Sequence, residues 1–119
     1  MRQAYAHDAV LLLEDGGDER APGGAITLAL CGNWSHEPPC PLAPHHTRVH
    51  RVGRELTLRL LFAAEPADVA RVRALVDEAL SRGWGDSPEG SRTTWELLES
   101  EPSSVRDEEE AHAQRLVRS

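Results

Sequence analysis

Hydrophobic and polar positions change period several times along the chain. Residues 9–14, Ala-Val-Leu-Leu-Leu-Glu, are a short apolar run. The stretch 15–24 follows with four glycines, a proline and charged residues, which is turn and loop chemistry. In 25–31, Ile26, Leu28 and Leu30 alternate with smaller residues, the period of a half-buried strand. The two apolar runs are therefore expected to pair antiparallel across the loop 15–24. With Ile26, Leu28 and Leu30 turned to the core, Cys31 faces the other way at the strand's end.

The next two runs, 47–52 and 55–62, flank Gly53-Arg54. Glycine at the first central position suits a type II′ turn, so these runs predict a hairpin with a two-residue loop. Its register sets Val49 opposite Leu58 and Thr47 opposite Leu60. Leu56, Leu58, Leu60 and Phe62 then make one apolar face. His46, Arg48 and His50 share the other with Thr57, Arg59 and Leu61.

Helical spacing takes over after Glu65-Pro66-Ala67-Asp68. Proline fits a first turn, where its missing N–H costs nothing, and Asp68 complements the positive helix end. Val69, Val72, Val76, Ala79 and Leu80 form one stripe, and Gly83 is a C′ stop, so the spacing predicts a helix over 66–82 packed on the Leu face. Residues 84–92 read as a loop. Thr93 to Glu96 matches a capping box and predicts a short helix through about Glu99. A last helix, about 105–117, carries acid in its first turn and arginine in its last, with a sparse stripe of Val105, His112 and Leu116. The segment 103–119 is thus expected to fray or to dock on another chain.

The sum is an α+β chain, one domain over 1–119. It has an antiparallel sheet of about four strands packed by one main helix, with shorter C-terminal helices. A net charge of −7 over 119 residues argues against nucleic acid or an anionic membrane as partner. The N-terminus shows no signal-peptide h-region and no apolar run reaches the roughly 20 residues of a membrane span, so the expected location is the cytoplasm.

The chemistry concentrates in a proline-rich loop, 32–46, with its flanks. The stretch 31–50 holds both cysteines and four of the six histidines of the chain, together with Pro38, Pro39, Pro41 and Pro44. The order Cys31, His36, Cys40, His45 offers two thiolates and two imidazoles, a set suited to tetrahedral Zn²⁺. Prolines stiffen the loop, which lowers the entropy lost on closing round an ion. His45 and His46 point to opposite faces if extended, so His45 is the preferred ligand and His46 its substitute. His46 and His50 lie about 13 Å apart on a strand and cannot share one ion. Three protein ligands would leave a position open to water, with Glu37 the nearest base. A Cys40–imidazole nucleophile and a Cys31–Cys40 disulfide are the metal-free alternatives.

A second cluster is basic. Arg48 and Arg59, with Arg51 and Arg54 nearby, could hold a carboxylate or phosphate. The plainer expectation is an outer sheet face paired to the acidic C-terminal helix. Function thus reads first as a small zinc-binding protein with a structural or regulatory role. The alternatives are a metal-free interaction module, meeting a second copy or another protein through the hairpin face or the C-terminal helix, and a small enzyme with an open metal site.

Overall fold

A computed structural model of the chain describes residues 1–31, 43–87 and 89–118. It is α+β, with one antiparallel curled sheet. The elements in chain order are β1 (Gln3–Leu13), α1 (Ala21–Cys31), β2 (His45–Val52), β3 (Glu55–Ala64), α2 (Val69–Ser81), β4 (Trp84–Asp86), β5 (Arg92–Ser103) and α3 (Glu110–Val117). Short 3₁₀ turns lead into α2 at Pro66–Asp68 and into α3 at Asp107–Glu109. The strand order is β2-β3-β1-β5-β4, every pair antiparallel. The two crossover helices and the four long strands make the split β-α-β arrangement of ferredoxin-like type.

The central strand β1 explains the core. Leu11 and Leu13 point to the side covered by α1 and α2, where they meet Leu56, Leu58, Leu60 and Phe62 of β3 and Val72, Val76 and Leu80 of α2. All of these side chains are fully buried. The other side of the sheet is polar over most of its width. At one end α3 covers it, seating Leu116 against Ala6, Leu61 and Ala63. The C-terminal helix therefore docks on its own sheet.

The hairpin has the expected register, with Val49 opposite Leu58 and Thr47 opposite Leu60. Gly53 has φ +61° and Arg54 does not enter positive φ, as a type II′ turn requires. The helix over 66–82 forms with Val72, Val76, Ala79 and Leu80 of the expected stripe buried and Val69 half-buried, and Gly83 ends it at φ +80°.

Three expectations are corrected. Residues 25–31 are the second half of helix α1, not a strand, so no antiparallel pair crosses the loop 15–24. Ile26 and Leu30 satisfy helical spacing as well as alternation, because the segment is apolar on nearly all sides. The helix buries Pro22, Ile26 and Leu30, four residues apart, together with Ala21 and Ala25. The second correction is 93–99, which belongs to β5. Its β-branched and aromatic start buries Thr93 and Trp95 on one face. Thr93 Oγ accepts from Asp18 N–H at 3.0 Å, and the Trp95 indole donates to Leu80 O at 2.8 Å. These tertiary partners outweigh a local cap. Third, the loop over 84–92 contains β4, which pairs with the first residues of β5. Trp84 lies there between Arg82 and Arg92, with guanidinium carbons 4.2 and 3.8 Å from its ring centre.

Candidate functional site on the open face of the sheet

The strand registers lay out the polar face of the sheet in rows. Arg48 pairs with Arg59, Arg59 with Asp8, and Asp8 with Glu101. One row across β2, β3, β1 and β5 is thus cation, cation, anion, anion. The next row is His50, Thr57, Val10 and Glu99. It has a basic edge, a neutral middle and an acidic edge. A bulge between Val10 and Leu11 in the β1–β5 pairing leaves Leu98 without a partner and turns Glu99 and Glu101 to this face. The row on the far side of Arg48 holds His46, Leu61 and Ala6, and there α3 closes the face.

These rows line a groove of about 500 Å³. Its walls and floor include Arg48, His50, Thr57, Val10, Glu99 and Glu101, with Arg106 at the α3 end. The volume falls within the usual range for a small-ligand site. Among the described residues, no hydrogen bond or ion pair engages the side chains of His50, Glu99 or Glu101.

Arg59 at the centre behaves differently. Its Nε donates to Glu109 Oε2 at 2.7 Å, and one Nη donates to Glu109 Oε1 at 2.6 Å and to Ser104 O at 2.7 Å. The other Nη donates to Asp8 Oδ1 at 2.8 Å and Ser103 Oγ at 3.1 Å. All five N–H groups are used, so the buried guanidinium is satisfied internally. The Glu109 hydrogen bonds raise its pKa further, and they hold the Glu109 carboxyl down to about 2 against the opposing effect of burial. Arg48 is 62% exposed and only grazes Glu109, at 3.4 Å. Of the two arginines expected to bind an anion, Arg48 faces the groove with reach to spare, and Arg59 organises its floor.

The Cys/His residues fall in different places. Cys31 ends α1, buried and disulfide-bonded, with its sulfur 3.9 Å from His45 Nδ1. His45 is held by Ala43 O and Thr27 Oγ, each at 3.1 Å. His36 and Cys40 lie outside the described residues. His46 projects to the opposite face, where its ring lies 4.5 Å from that of His112. Burial, His112 and Arg48 lower its pKa. The structure thus brings Cys31 and His45 together and turns His46 away from them. Among the described residues no three His, Cys, Asp or Glu side chains are grouped to hold a metal.

One polar chain, running from the buried His7 to the half-exposed Asp77, was not foreseen. His7, on β1, accepts at Nδ1 from Arg73 at 2.9 Å, and its Nε2 meets Ser100 Oγ at 2.8 Å. Ser100 donates to Asp77. With the serine proton given to the carboxylate, His7 must donate from Nε2 and is neutral. Burial lowers its pKa, Asp77 opposes this, and Arg73 adds to it. Serine, histidine and aspartate are present but wired the wrong way for nucleophilic catalysis, since arginine occupies the nitrogen an orienting carboxylate would need. The group ties β1, α2 and β5 together.

The expected pairing of the basic sheet face with the acidic C-terminal helix is made by Glu109, whereas Asp8, Glu99 and Glu101 carry no signal of their own, because each acquires its role through pairing between distant segments. The available signal was the alternation of Thr93, Trp95 and Leu97, which places the glutamates of β5 on a strand. Comparison of the chain with protein-family models, curated proteins and solved structures gave no match.

Proposed function

We propose that the chain is a small binding module whose working surface is the open sheet face between β2 and β5. The observation that carries this reading is the groove of about 500 Å³ floored by Thr57 and Val10 and walled by side chains of opposite charge. Charged groups left without internal partners at a concave surface favour a ligand that supplies them. This is the metal-free interaction reading, located on the hairpin's outer face. Thr57→Trp tests it. The substitution fills the floor from an exposed strand position and leaves the core untouched. Binding of pooled tripeptides should fall at least tenfold, with the unfolding midpoint unchanged. Equal binding by the two proteins would contradict the reading.

A second reading keeps zinc as cofactor, held by Cys31, His36, Cys40 and His45. It is favoured by the 3.9 Å approach of the Cys31 sulfur to the His45 imidazole. A disulfide and a zinc thiolate exclude one another, so zinc would require the reduced chain. Protein purified without a His-tag under reductant should carry about one zinc per chain on this reading. Metal-free protein under those conditions would end it.

A further inference from the structure

We infer that the groove takes a short peptide with both termini free, lying across the strands with its carboxylate at Arg48 and His50 and its ammonium at Glu99 and Glu101. This assignment rests on the groove reading above and narrows it to a ligand class.

Charge placement in the groove favours a dipolar ligand. Along the row His50, Thr57, Val10, Glu99 the edges differ in character and the middle is neutral. In the neighbouring row the central charges are spent on each other, Arg59 with Asp8 and Glu109. What remains for a ligand is Arg48 and His50 on the β2 wall, Glu99 and Glu101 on the β5 wall, and Arg106 at the α3 end. A simple anion would gain the first pair and be repelled by the second, and a simple cation the reverse. A dipolar ligand gains from both walls.

Size agrees with this assignment. Three strand spacings of about 4.8 Å set β2 and β5 roughly 14 Å apart. An extended peptide advances about 3.4 Å per residue, so roughly two to four residues span the space between the inward-leaning side chains. Thr57 and Val10, the neutral middle of the His50–Glu99 row, match the uncharged middle of such a peptide. Arg106 stands at the α3 end, outside the His50–Glu99 row, and its backbone N–H is held by Glu109 Oε1 at 2.9 Å.

The test compares four pools of random tripeptides by calorimetry with the full chain at low salt: free, N-acetylated, C-amidated and blocked at both ends. The free pool should bind about tenfold more tightly than either singly blocked pool, and the advantage should shrink in 0.5 M salt. In E99Q/E101Q the penalty for N-acetylation should vanish while that for C-amidation persists. R48Q/H50Q should show the reverse. Equal affinity of the free and doubly blocked pools would overturn the dipolar assignment and leave the groove reading standing. No binding of any pool would overturn both.

Discussion

The residue that most shapes the open face is Arg59. A buried guanidinium is costly unless every donor is met, and here Glu109, Asp8, Ser103 and Ser104 meet them all. Removing the Glu109 charge leaves that cation underpaired. Glu109→Gln should therefore destabilise the fold by about 3 kcal/mol, read from urea unfolding at pH 7. The acid behaviour follows with a definite sign. The folded pKa of Glu109, about 2, lies below its ordinary value of 4.5. Its contribution is complete above about pH 4.5 and is lost as pH falls through the folded value. At about 1.4 kcal/mol per unit, the loss is on the order of 3 kcal/mol. The variant should show a flatter stability profile between pH 4.5 and pH 2. An unchanged profile would mean that Glu109 does not carry this charge pairing.

At the scale of elements, the sequence was most legible where local chemistry and tertiary packing agree. The hairpin is fixed by Gly53 and by one unbroken apolar face, so its register was readable residue by residue. The helix over 66–82 carries its own start, stripe and stop. Helix α1 and strand β5 were misread for opposite reasons. The first is apolar nearly all round, so its period could not decide between helix and strand. The second begins with a capping motif whose Thr93 is engaged instead by Asp18, a partner distant in sequence. Gly83 shows how the end of α2 is coupled to β5. It has φ +80°, and a Cβ there would lie 2.9 Å from Trp95 O. Gly83→Ala should cost more than the roughly 1 kcal/mol of a positive-φ glycine in open space. Gly16, also at positive φ but with nothing within 4 Å of an added Cβ, is the control. Thermal melts of the two alanine variants should separate them, and equal costs would mean the strand yields to the added methyl.

At the scale of the whole molecule, the fold divides labour between the two sides of one sheet. The side under α1 and α2 holds the core. The other is closed by α3 at one end and left open at the rows between Arg48 and Glu99. No helix among the described residues is long and apolar enough to cross a membrane. The basic half of the groove was legible, because Arg48, His50 and Thr57 belong to a hairpin whose faces could be assigned. The acidic half was not, since Glu99 and Glu101 depend on a strand that was read as helix and on a bulge that no local pattern announces. The most direct test is a backbone amide spectrum recorded as free tripeptides are added. Shifts are predicted to cluster at residues 8–10, 48–50, 57–59 and 99–101, with α1 and α2 unmoved. Shifts centred on α1 and α2, or scattered without preference for either side of the sheet, would contradict the account.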